Sequence, residues 1–283
     1  MNYFFGRYFK CCGADGAVAF IVARHKNGKK ESASLQVITP AGAHSAPFPI
    51  EQYIDPGDGF SVRLGENRFK KTGLTLHLDT PDLHLSGELR FGAFAPIKGD
   101  VMGPFRFVPF LQCRHSVYSM EHTVNGEVTV NGQAYRFDGG RGYIEGDRGR
   151  SFPKEYLWTH CFGDNCSVML SVAHIPFGAL HFTGVIGEVR MGAQSYRIAT
   201  YRGAKVASRG KGTVVIAQKD LTLTARLIYK NAAPLLAPDR GQMARVIRES
   251  VSCTAHYTLT RNGETLLDFE RGDASFEYEY SDQ

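Results

Sequence analysis

The part of the sequence richest in chemistry runs from Phe137 to His160. Between Asp138 and Arg150, thirteen residues hold three acids, three arginines and five glycines. Glycines let the backbone bend sharply and let charged side chains converge. If this segment is a strand, alternation sets Glu145 and Asp147 on one face. Two adjacent carboxylates raise one pKa, so one of them holds its proton nearer neutral pH and can serve as a general acid. A structural reading stands beside this one, in which Arg141, Arg148 and Arg150 pair with the acids in an ion-pair network at a domain junction. Arginines lower carboxylate pKa values, which opposes the acid. Gly140-Arg141-Gly142-Tyr143 is glycine-rich but lacks the lysine-serine/threonine ending and following helix of a phosphate loop.

A second dense stretch joins Cys113, Arg114 and His115 to Ser119-Met120-Glu121-His122. On a strand Cys113 and His115 share a face, as a thiol and its base require; a buried structural cysteine is the competing reading. His115, His122 and Glu121 make a metal set only if the chain folds back, and no HxH, HExxH or HxxxH pair is present, so no metal is expected. Trp158 and His160 lie two apart, hence on one face. An aromatic wall with a polar tip suits an apolar ligand with a polar head, and a core tryptophan is the alternative.

The chain that must position these groups has 283 residues, a net charge of +5, 43% hydrophobic and 22% charged residues. That is an ordinary globular composition, long enough for one large domain or two medium ones. No apolar run approaches the roughly 18 residues that cross a bilayer. The aromatic N-terminus lacks the basic and apolar regions of a secretory signal. The six cysteines show no CxxC or zinc spacing, as expected of reduced thiols in a cytoplasmic protein. Lys and Arg cluster only at His25–Lys30 and Arg68–Lys71. Nucleic-acid binding needs a basic stripe and is not expected, whereas a weak attraction to anionic membrane surfaces is compatible with the charge.

The period of the sequence is two. Leu74–Asp79, Leu83–Leu89, Gly126–Val130 and Leu221–Leu227 alternate apolar and polar residues, and Gly16–Ala23 is a short apolar run. These predict antiparallel strands. Asn-Gly pairs at 27–28, 125–126, 131–132 and 262–263 predict tight hairpin turns. The only predicted helix or lid is Gln242–Glu249, after the proline-rich 233–238. A shift of 149 residues sets Phe9 on Trp158, Cys12 on Cys161, Asp15 on Asp164 and His25 on His174. Two similar β-units follow, 1–150 and 151–283. The expected fold is all-β, with two lipocalin-like antiparallel barrels or half-barrels packed together.

Gly142–Pro153 with Tyr156-Leu157-Trp158 resembles the signature of the tocopherol cyclase family. That signature is an acid followed by Trp-Gly, then Phe-Pro and an aromatic strand. Gly103-Pro104-Phe105 through Pro109-Phe110, Ser119–His122, Phe4–Lys10 and Thr200–Lys205 resemble family sequence in the same order, so the likeness runs from about residue 4 to residue 205. The compact bacterial members are the most similar. The resemblance implies a double lipocalin-like architecture and a cofactor-independent cyclisation of a prenylated phenol, quinol or related hydrophobic substrate. In that reaction an acid protonates an alkene and the phenol captures the cation. Glu145 and Asp147 would be the acids, and Tyr143, Phe152 and Trp158 the walls, with His160 and His115 also lining the ligand site. The departures are Arg148 where relatives carry Trp after the acid, and Arg7 where they carry Trp near the start. They imply a more polar pocket. The alternative is a protein that binds a hydrophobic small molecule without turnover.

Overall fold

A computed structural model describes residues 2–109, 111–177, 180–231 and 233–280. Met1, and Phe110 of the Pro109-Phe110 motif, lie outside the described residues. The protein is all-β. Its strands are β1 (Tyr3–Gly13), β2 (Gly16–Asn27), β3 (Lys30–Thr39), β4 (Gly42–Pro49), β5 (Tyr53–Ile54), β6 (Val62–Leu64), β7 (Asn67–Lys70), β8 (Gly73–Asp79), β9 (His84–Phe91), β10 (Cys113–Val130) and β11 (Gln133–Gly149), then β12 (Tyr156–Gly163), β13 (Cys166–Phe177), β14 (Leu180–Met191), β15 (Gln194–Ala199), β16 (Lys205–Gly210), β17 (Thr213–Gln218), β18 (Leu221–Tyr229), β19 (Ala233–Asp239), β20 (Gln242–Glu249), β21 (Cys253–Arg261) and β22 (Glu264–Tyr278). Among the described residues no helix is long and apolar enough to cross a membrane.

The first eleven strands form one sheet in the order β4-β3-β2-β1-β11-β10-β9-β8-β7-β6-β5. Its two edges, β4 and β5, follow each other in the chain through a single 3-10 turn at Ile50–Gln52. The sheet therefore curls back on its own beginning and forms a nearly closed barrel, which leaves little unpaired edge. Alternation fills it: Phe9, Cys11, Val18, Phe20, Val22, Leu35, Leu74, Leu89 and Ile144 belong to one buried apolar cluster. A second sheet, β15-β14-β13-β12-β22-β21-β18-β17-β16, is a curled half-barrel. Its edges are likewise consecutive, joined by the 3-10 turn Thr200–Arg202. Leu157, Cys161, Val168, Leu170, Leu223 and Phe276 build its core.

The two compact units are discontinuous in sequence. The first holds residues 1–98, 113–152 and 234–246, and the second holds 99–112, 153–233 and 247–283. Within the first unit, residues 234–241 are held by two main-chain bonds and one side-chain bond. The Gly241 amide donates to Arg150 O (2.7 Å), the Phe152 amide donates to Pro238 O (3.2 Å), and Gln36 Nε2 donates to Leu236 O (3.2 Å). Within the second, Arg197 Nη1 donates to Asp100 O (3.1 Å) and Tyr201 Oη to Val101 O (3.0 Å).

Three local expectations change. Gln242–Glu249 is a strand, not a helix. Arg240 and Gly241 take the two positive φ angles of a tight hairpin turn (48° and 76°), and burial then alternates along the segment. Asn125-Gly126 is not a turn but a bulge inside β10. Gly126 passes so close to β9 that a Cβ would meet Glu88 O at 2.1 Å. The internal repeat is real but displaced by one residue. Cys11 pairs with Val18 and Cys161 with Val168, so β1 and β12 correspond at a shift of 150. In a strand that single step moves each residue to the opposite face. Cys11 and Cys161 then occupy the same place in the two cores.

Candidate active site

β10 and β11 are long and antiparallel, and their register sets His115 opposite Asp147 and Val117 opposite Glu145. On the other side β1 sets Tyr8 opposite Glu145 and Lys10 opposite Tyr143. Ile144 faces the barrel core. Tyr143, Glu145 and Asp147 therefore lie on the opposite face of the sheet. That face is buried here: Tyr143 and Lys10 are 0% exposed, Glu145 5%, and His115 and Tyr8 under a tenth.

His115 sits between two carboxylates. Its Nδ1 bonds Asp147 Oδ1 at 3.0 Å. Its Nε2 lies 3.0 Å from Glu145 Oε2, in an ion-pair contact whose angle falls outside hydrogen-bond geometry. The Tyr143 hydroxyl donates to Glu145 Oε2. Cys113 Sγ donates to Asp147 Oδ1 at 3.2 Å.

Burial alone would lower the His115 pKa, but the charges of Glu145 and Asp147 outweigh it and hold the pKa well above 6.5. Burial raises that of Glu145, opposed by the His115 charge. Burial and the neighbouring Glu145 push the Tyr143 phenol well above 10. Together these groups retain a proton on an imidazole–carboxylate pair near neutral pH, in a dry setting, as a general acid requires.

The same arrangement disfavours two other chemistries. Burial and the Asp147 charge push the Cys113 thiol well above 9, so it is not an activated nucleophile. The donor atoms of His115, Glu145 and Asp147 all lie within 4.8 Å of one another, a set of types that hold cations. The two carboxylates, however, face different nitrogens of one ring, whose lone pairs diverge. His122 and Glu121 do not join His115. The His122 ring packs on Phe91 and Phe94 (centroids 4.7 and 4.9 Å), and Glu121 Oε1 accepts from Arg141 Nε (2.9 Å).

Of the residues singled out in the sequence, Tyr143, Glu145, Asp147 and His115 are brought together. Phe152 packs edge-on against Phe4 (5.5 Å). Trp158 and His160 belong to the second unit, on the face of β12 opposite its core residues Leu157 and Cys161. His160 bonds Ser167 Oγ (3.3 Å). Arg141 is engaged with Glu121, and His115 contacts both Glu145 and Asp147. Buried Lys10 and Tyr8 were missed. Their only signal was the alternation of β1, which becomes informative once β1 is known to lie beside β11.

No protein-family model matches the sequence, and neither does any curated protein. Solved structures do. That of CghA aligns with a TM-score of 0.63 over 100% of this chain and 89% of that one, at 10% identity. CghA with Sch210972 aligns over the same shares with a TM-score of 0.63 at 11% identity. Kievitone hydratase from Nectria haematococca aligns with a TM-score of 0.55 over 97% and 88%, at 10% identity. The chain shares their fold. At these identities the likeness carries architecture, and reaction chemistry must be argued from side chains.

Proposed function

We propose that this protein catalyses proton-initiated addition across an alkene of a hydrophobic small molecule, and that the reaction is ring closure of a prenylated phenol or quinol. The observation that carries the reading is His115 lodged between Glu145 and Asp147, with the Tyr143 phenol on the same carboxylate. The pair delivers one proton to the less substituted alkene carbon. The tertiary cation is captured by the substrate's own phenol oxygen, whose proton returns to the cluster. A C–O bond forms, the alkene is consumed, and no electrons are gained or lost. The ring faces of Tyr143 and Tyr8 suit a cationic intermediate. A neighbouring fold is named as a hydratase, and hydration begins with the same proton transfer but ends with water.

The second reading, binding without turnover, is favoured by the hydrogen bonds that Asp147 takes from His115 and Cys113 and that Glu145 takes from Tyr143, which commit the acids to their neighbours. Turnover of a geranylated or phytylated hydroquinone decides, run in deuterated and in 18O-labelled water. Ring closure places one deuterium in the product and no 18O, whereas hydration places both. Glu145→Gln is expected to lower turnover about 10²- to 10⁴-fold while ligand binding stays within threefold. Binding with no turnover by the wild type leaves the carrier reading.

A further inference from the structure

β1 also carries a group aimed the other way. Arg7 pairs in register with Val22 and Gly146, and alternation places it on the same face as Phe9 and Cys11, inside the first unit's barrel. It is 1% exposed. Its Nη2 donates to Gly59 O at 3.2 Å, but Nε and Nη1 are buried with no hydrogen-bond partner. A buried guanidinium with two nitrogens that lack a hydrogen-bond acceptor is costly, because such ions are ordinarily paired and fully hydrogen-bonded.

The surroundings have the character of an amphiphile's head-group site. The guanidinium lies 4.6 Å from the Phe5 ring centre and 5.6 Å from that of Phe60. The Tyr53 hydroxyl is buried beside the Arg7 guanidinium without meeting hydrogen-bond geometry, and the tyrosine is 8% exposed. Arg24 stands 5.9 Å from the Phe5 ring and 5.8 Å from that of Tyr53, and Lys71 stands 5.8 Å from that of Phe60; both cations are exposed. The acids of the adjoining loop make their hydrogen bonds within that loop, and the Asp58 carboxylate also feels the Arg7 charge. Asp55 accepts from the Gly57 amide (2.9 Å), and Asp58 from the amides of Phe60 (2.8 Å) and Ser61 (2.6 Å). From Phe60 an aromatic path continues inward through Phe9, Phe94 and Tyr118 (6.0, 5.7 and 5.2 Å).

We infer that Arg7, with Tyr53, is the anchor of a second binding site, one that takes the anionic head of an amphiphile whose apolar tail lies along Phe5 and Phe60. A carboxylate or a phosphate monoester offers charged acceptor oxygens to the unmet guanidinium N–H groups, on either of its two forked edges, Nε with Nη2 or Nη1 with Nη2. The site is separate from the acid cluster, because neighbouring residues of β1 face opposite ways. It does not depend on the proposed reaction.

The test is calorimetric titration of the full chain with dodecanoate, dodecyl phosphate, dodecanol and acetate, each below its micellar concentration. Dodecanoate or dodecyl phosphate is expected to bind at least tenfold more tightly than dodecanol, and the tighter of the two names the head group. Acetate alone is expected to bind too weakly to measure. Arg7→Met should abolish the preference while leaving dodecanol affinity unchanged. Tyr53→Phe, which removes no charge, should weaken the anion about threefold and serves if Arg7→Met does not fold. Equal affinity for dodecanoate, dodecyl phosphate and dodecanol, or a preference that survives Arg7→Met, overturns the inference.

Discussion

The two units carry the same acid in the same place, and among the described residues the first sets an imidazole between that acid and a second carboxylate. Glu145 stands opposite Tyr8 and Glu277 stands opposite Trp158, at corresponding positions of β1 and β12. Each carboxylate takes a tyrosine hydroxyl, from Tyr143 and from Tyr156. Both acids are buried, at 5% and 6% exposure. The difference is the third strand. In the first unit β10 continues past Glu145 and delivers His115 between Glu145 and Asp147. In the second, the next acid, Glu279, accepts from the main-chain amide of Arg248 (3.3 Å), and the imidazole on the face, His160, is bonded to Ser167. A buried acid with a tyrosine is thus a property of the fold. The imidazole that shares its proton is a property of one unit.

The largest expected effect follows directly. Glu277→Gln should leave turnover within about threefold of wild type, against the 10²- to 10⁴-fold loss expected of Glu145→Gln. Equal losses would place the chemistry on both units or on neither. The comparison also predicts the direction of pH dependence. His115 has a folded-state pKa above its unfolded value, so the stability it contributes is complete below about pH 6.5 and is lost as pH rises through the folded pKa. The raised Glu145 has the same sign, with loss starting near pH 4.5. His25 and His122 are lowered to about 4 by burial, so stability falls as pH drops from 6.5 toward 4. A melting-temperature profile should fall on both sides of about pH 6.5. His115→Gln should flatten the alkaline limb and leave the acid limb.

A smaller effect sharpens the same contrast. A Cβ on Gly142 would meet His122 Nε2 at 2.3 Å, whereas the register of β22, continued one residue, puts Ala274 at the matching place in the second unit. Gly142→Ala should cost about 1–3 kcal/mol in denaturant unfolding, and His122→Ala in the same chain should recover most of it.

Alternation alone placed Glu145 with Asp147 and Cys113 with His115, because a strand has period two and needs no knowledge of its neighbours. The same rule gave the all-β class, and Asn-Gly pairs marked the tight turns at 131–132 and 262–263. Gln242–Glu249, expected as a helix or lid, is a strand. The deciding signal, a turn at Arg240-Gly241, is weaker than Asn-Gly. What the sequence could not supply is which strands are neighbours. β1 lies beside β11 although more than a hundred residues separate them, and that pairing buries Tyr8 and Lys10 beside the acids. The approach of His115 to both acids has the same origin. Charges adjacent in the chain point to different faces, and the partners of a carboxylate are chosen by register across strands. Residue types and periodicity determined what chemistry was available and on which face. Long-range pairing decided which groups meet, because only it sets the distances and the burial that fix where a proton resides.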